Sequence, residues 1–193
     1  MVEEGIDPQI HKKAWPLRIS IYPVRKKPKI EAWNTRNDLV PVDFTDNYGI
    51  CCGEKSANGW YLLVLDFESL SEAIGILWRY IFEKMLKEML CVRSAHLEFH
   101  VYFFCNSVPE KPIRPAIVKD GRALMDLLLG VNSAVLGPGS VIGYSKCESE
   151  KCPWKGQEVF TAYEHISRHR RIAIVRKETL KKYSRRSKQW DTS

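Results

Sequence analysis

Apolar and polar positions along the chain switch between a two-residue and a helical period, and the switches mark the elements. Residues 17–24, Leu-Arg-Ile-Ser-Ile-Tyr-Pro-Val, alternate as a strand does until Lys26-Lys-Pro-Lys29 ends the run. Asn47 to Gly53 reads as a short strand closed by glycine. Trp60 to Glu68, Trp-Tyr-Leu-Leu-Val-Leu-Asp-Phe-Glu, is almost continuously apolar before its two carboxylates, the pattern of a buried central strand whose C-terminal end faces a site. Ser69 and Glu72 then form a capping box, and Ile74, Leu77, Ile81 and Met85 recur at helical spacing with Lys84, Lys87 and Glu88 on the opposite face. A helix is expected there. Residues 97–105, Leu-Glu-Phe-His-Val-Tyr-Phe-Phe-Cys, make another strand, and Pro109, Pro112 and Pro115 mark the loop beyond it. Ala123 to Leu129 fits a helix turn or a short strand. Val131 to Leu136 is strand-like and runs into the tight turn Gly137-Pro-Gly-Ser140. Strands mixed with a helix, and no internal repeat, imply an α/β or α+β domain with a mixed sheet.

Composition narrows the class. With 193 residues, 45% hydrophobic and 27% charged, the chain can bury a core of its own as one domain, or one domain with a small appendage. No apolar stretch approaches the ~20 residues that span a bilayer. The first residues are acidic and lack the basic start and apolar centre of a signal peptide, so a cytosolic protein with reduced or metal-bound cysteines is expected.

Charge adds a partner class. From Arg168 to Ser193 there are ten basic residues against two acidic ones, an excess larger than the +7 of the whole chain. A second run, from Lys12 to Lys29, holds seven Lys or Arg and no acid. Clustered cations favour polyphosphate partners through counterion release, which makes nucleic acid the leading candidate.

Three features carry chemistry. Asp66 and Glu68, one residue apart at a strand end, point to one side and can share a divalent cation. His100 lies inside a strand, where an imidazole needs a partner, and Asp126 interrupts the apolar run Leu-Met-Asp-Leu-Leu-Leu. Cys147, Cys152, His165 and His169 give C-x4-C-x12-H-x3-H, within the ligand spacing of two-Cys, two-His zinc sites. Gly156 and Ala162 stand where a DNA-reading finger has large apolar residues, which argues against a full finger. Cys51, Cys52, Cys91 and Cys105 sit in apolar surroundings and read as small core residues.

Taken in order, these pieces resemble the catalytic domain of the primase-polymerases of archaeal plasmids, within the archaeo-eukaryotic primase superfamily. The resemblance runs from about Trp15 to about Ile166. It is carried by Trp15-Pro-Leu, Arg25-Lys-Lys-Pro-Lys29, Asn47-Tyr-Gly-Ile-Cys-Cys-Gly53, Val64-Leu-Asp-Phe-Glu68, Phe99-His-Val-Tyr-Phe103, Asp126 and Val135-Leu-Gly-Pro-Gly-Ser140. It implies an α+β fold: a mixed-sheet, RRM-like core over residues 1–174, a zinc-bound stem at about 144–170, and a basic tail or linker at 175–193. It also implies a DNA primase and polymerase of plasmid or viral replication in which Asp66, Glu68 and Asp126 hold two Mg²⁺ or Mn²⁺ ions. His100 would bind the nucleotide triphosphate, with Ser140 and Lys27 as further phosphate contacts. His96 is the alternative histidine and Asp120 the alternative acid.

The implied partners are a single-stranded DNA template, nucleoside triphosphates and a helicase domain or protein, since this chain has no G-x-x-x-x-G-K-[ST] loop. Two other functions compete. One is a non-enzymatic, zinc-containing DNA-binding protein. The other is a rolling-circle replication endonuclease, which needs two histidines one residue apart on a strand, whereas His96 and His100 have three residues between them.

Overall fold

The computed structural model describes residues 3–6, 17–18, 48–53, 59–67, 83–84, 87–109, 116–117, 123–128, 133–144, 147, 150, 152–168 and 172–180. Its strands in chain order are β1 (Glu3–Ile6), β2 (Leu17–Arg18), β3 (Tyr48–Cys51), β4 (Tyr61–Phe67), β5 (Leu90–Arg93), β6 (Phe99–Cys105) and β7 (Ala116–Ile117). They continue with β8 (Ala123–Leu128), β9 (Ala134–Leu136), β10 (Val141–Gly143), β11 (Phe160–Ala162), β12 (Glu164–His165) and β13 (Ile172–Val175). Helical residues occur at 83–84, 87–88 and 177–180. The described residues thus form a mixed structure in which sheet predominates.

Eight strands form the main sheet, ordered β1-β13-β6-β4-β8-β7, with β5 pairing the remaining length of β6 and β12 pairing β5. Pairing is antiparallel except between β13 and β6, which makes the sheet mixed. The apolar run of β4 is explained by its place: it is flanked by β6 along its whole length and by β8 over Val64 to Phe67. Both faces are covered, so both sets of alternating side chains must be apolar. Leu62 and Val64 join Val92, Tyr102, Phe104, Leu136, Tyr144 and Tyr163 in one core. Leu63, Leu65 and Phe67 join Cys91, Val101, Phe103, Met125 and Val175 in the other.

Two smaller sheets complete the described structure. One is β2-β3-β9 and the other is the hairpin β10-β11. The turn between β9 and β10 has Pro138 at its second position and Gly139 at its third, with φ 90° at Gly139 and Ser140 N–H donating to Gly137 O at 3.1 Å. Glycine is needed there because a side chain disfavours positive φ.

The ambiguous segment at 123–128 is a strand. Ala, Leu and Met favour helix, but pairing of Leu128, Leu127, Asp126 and Met125 with β4 decides the outcome. Most of the expected helix after β4 lies outside the described residues. Its described part is helical, with Lys84 and Glu88 4.0 Å apart on an exposed face. β13 ends at Val175, and Leu180 packs against the second core, so structure continues past residue 174 into the basic segment. Among the described residues no helix is long and apolar enough to cross a membrane.

Candidate active site and metal centre

The pairing registers of five neighbouring strands place chemistry-bearing side chains in one row. Asp66 on β4 pairs with His100 on β6 and with Asp126 on β8. His100 pairs in turn with Val92 on β5, and Val92 with His165 on β12. Directly paired residues of antiparallel strands project to the same face with Cβ atoms about 5 Å apart. Asp66 therefore stands between an imidazole and a second carboxylate.

The row lies on the face of Leu62, Val64 and Tyr102, where it replaces apolar side chains at the end of the first core. Asp66 Oδ1 is 3.5 Å from His100 Nε2, with the aspartate side chain 27% exposed and the histidine 5%. Asp66 thus reaches water while His100 is buried. Half-exposed carboxylates side by side repel one another and attract a hard cation. An imidazole held beside them can bind an anion that such a cation brings. Glu68, Asp120 and Lys27 lie outside the described residues.

Ser140 is fully buried and joins the row through Tyr163. Gly139 N–H donates to Tyr163 O, and Tyr163 N–H donates to Ser140 O, each at 2.8 Å. The Tyr163 ring centroid is 5.6 Å from that of His100. The Gly-Pro-Gly-Ser turn, 37 to 40 residues beyond His100 in sequence, is brought beside it in this way.

A second cluster lies at the hairpin end of the molecule. The metal-ligating atoms of His96, Cys147 and Cys152 all fall within 4.8 Å of one another. His96 Nε2 and Cys147 Sγ are 3.6 Å apart. Two ligands of a tetrahedral zinc, with bonds of about 2.1 and about 2.3 Å, sit about 3.6 Å apart, so the pair fits that ion. Burial and the neighbouring Cys147 thiol push the Cys152 thiol above its ordinary value, and a metal is what would draw it to thiolate at neutral pH.

The setting of this cluster is built by two loops. His96 lies in the turn between β5 and β6, where Leu97 takes φ 65° and Ser94 N–H donates to Glu98 O at 2.7 Å. The cysteines come from the segment between β10 and β11. Thr161 of β11 ties the two together by donating to Ala95 O at 3.2 Å, its hydroxyl also 2.9 Å from that of Tyr144. The Tyr144 ring stands between His96 and Trp154, with centroid distances of 5.2 and 5.3 Å.

The structure thus gathers Cys147 and Cys152 with His96 rather than with His165. His165 Nε2 is instead 2.9 Å from Ser167 Oγ, which also accepts the Cys91 N–H at 3.0 Å. His169 lies outside the described residues. Contiguous finger spacing gives no hint of a ligand 51 residues before Cys147. The available signal was Ser94-Ala95-His96, a histidine in a turn just before a buried strand. Cys52, Cys91 and Cys105 are buried, as expected of core residues, and burial pushes the Cys91 thiol up to about 12.

Comparison with known proteins finds no family model and no curated protein that matches this chain.

Proposed function

We propose that this protein is a template-directed nucleotidyl transferase, a DNA primase and polymerase with an RRM-like catalytic sheet. The observation that carries the reading is the alignment of Asp66, His100 and Asp126 at one register on three adjacent strands. These residues are scattered over 61 positions of sequence and stand out there as polar groups within apolar runs, with nothing in the sequence to show that they share a register. Nothing in a purely structural sheet calls for two carboxylates and a histidine to displace apolar side chains together.

Asp66 and Asp126, with Glu68, would hold two Mg²⁺ or Mn²⁺ ions. Such ions, when bound, activate the primer 3′-hydroxyl and stabilise the charge that develops on the α-phosphate and the leaving pyrophosphate. His100 binds the triphosphate of the incoming nucleotide; the Gly139–Ser140 turn beside it, its N–H groups donated to Tyr163 O and Gly137 O, supports the histidine rather than the phosphate. The basic segment from Arg168 onward holds the template strand by phosphate neutralisation. His96, Cys147 and Cys152 would hold a zinc, which would staple the β5–β6 turn to the hairpin.

The runner-up is a non-enzymatic, zinc-containing DNA-binding protein, which the His96, Cys147 and Cys152 cluster favours. A rolling-circle endonuclease is disfavoured because His96 belongs with the cysteines and His100 with Asp66. The test is incubation with single-stranded DNA, labelled nucleotides and Mn²⁺ or Mg²⁺, with and without a primer. Metal-dependent incorporation supports the enzyme. DNA binding with no incorporation under any metal supports the runner-up.

A further inference from the structure

We infer that Tyr163 is a positioning residue that, anchored to the Gly139–Ser140 turn, holds the His100 ring in the orientation that binds phosphate; this rests on the nucleotidyl-transfer reading. Tyr163 is the residue at which the chain passes from one sheet to another. On its N-terminal side β11 pairs with β10, and on its C-terminal side β12 pairs with β5. Both sides are tethered, by the Thr161 bond to Ala95 O and by the ion pair of Glu164 with Arg93. Tyr163 is therefore fixed from two directions.

What it touches gives that rigidity a use. Its backbone makes two hydrogen bonds with the turn, and its ring, 1% exposed, meets the His100 imidazole at 5.6 Å and 47°. His100 faces Asp66 on one side, and the Tyr163 ring supplies a wall on another. An imidazole on a strand has about six rotamer states from its two torsions, and a packed ring restricts the choice. Without the wall the competent state would be shared among several. The apparent affinity for a ligand that needs that state would then fall about three- to sixfold.

The experiment compares Tyr163→Leu and Tyr163→Phe with the wild type by two readouts. The first is the His100 Cε1 proton resonance, assigned through loss of the signal in His100→Ala and followed without nucleotide. The Tyr163 ring current shifts it in the wild type and in Tyr163→Phe, and the shift is lost in Tyr163→Leu. The second is steady-state incorporation, where Tyr163→Leu raises KM for the nucleotide about three- to sixfold at unchanged kcat, because a ground-state phosphate contact is weakened. General structural damage would instead lower kcat through the active fraction. If Tyr163→Leu does not fold, Tyr163→Met, whose flexible unbranched chain adapts to an irregular gap, also loses the ring and is read in the same way.

A His100 resonance identical in wild type and the ring-free variant overturns the inference, as does an unchanged KM. If the wild type incorporates no nucleotide but the resonance moves as expected, the nucleotidyl-transfer reading fails while the positioning of His100 by Tyr163 stands.

Discussion

Replacing Asp126 with asparagine should stabilise the metal-free protein and remove its response to divalent cations. Asp126 and Asp66 are direct cross-strand partners, whose Cβ atoms stand about 5 Å apart, and a similar spacing is taken for their carboxylates. At an effective dielectric constant of about 20 to 40 their repulsion is about 2–3 kcal/mol. Water reaching Asp66, and the His100 imidazole on its other side, reduce this to about 1–2 kcal/mol. Asparagine keeps the shape and the strand pairing and deletes only the charge. For a domain of this size the gain corresponds to a melting temperature higher by about 2–8 °C. Thermal melts in chelator and in a Mn²⁺ series provide the assay. Mn²⁺ should raise the wild-type melting temperature, by about 2.7 kcal/mol of stability at a hundredfold excess over Kd, and should leave the variant nearly unmoved. A variant that melts lower than wild type in chelator, or that gains as much from Mn²⁺, would refute the idea that these two acids form a cation site.

Further expectations follow from other parts of the molecule. His96→Ala should abolish binding of about one zinc per chain, measured by elemental analysis of protein purified without added metal, whereas His165→Ala should retain it. Cys91, whose thiol burial pushes up to about 12, should resist alkylation in the native state. Its proton is kept by the folded chain and lost by the unfolded one between about pH 9 and 12. Stability should fall as pH rises through that window, by up to about 4 kcal/mol for this group, and denaturant melts of wild type and Cys91→Ala compared at pH 8 and pH 11 would show it. Removing residues 181–193 should weaken binding to single-stranded DNA and flatten its dependence on salt. The cut falls after Leu180 because that residue packs on the core, and an unchanged log-affinity against log-salt slope would count against a template role for the tail.

The main strands were legible because burial on both faces leaves a mark that survives in the sequence: the apolar runs of β4 and β6 could be nothing else. The acids and histidine of the row stood out because polar groups are costly in such runs. Their common register could not be read, since it is set by pairings between distant strands. β8 was ambiguous because its residues favour helix and only its contact with β4 makes it a strand. β13 was hidden, its four apolar residues Ile-Ala-Ile-Val flanked by arginines in a segment dominated by charge. The hairpin β10-β11 was missed for a different reason: each strand has three residues, too few for a period to show. His96 escaped as a metal ligand because its meeting with Cys147 depends on the packing of the β5–β6 turn against β11, which spacing along the chain does not encode.

The central claim is that the Asp66, His100 and Asp126 row transfers nucleotides under direction of a template. Its most direct measurement is single-nucleotide extension of a primer on four templates that differ only in the first unpaired base, with Mn²⁺, for wild type, Asp66→Asn and Asp126→Asn. The account predicts that wild type adds the complementary nucleotide on each template and that both variants add none. Extension at wild-type rate by either variant, or no extension by the wild type with any template or metal, would contradict it.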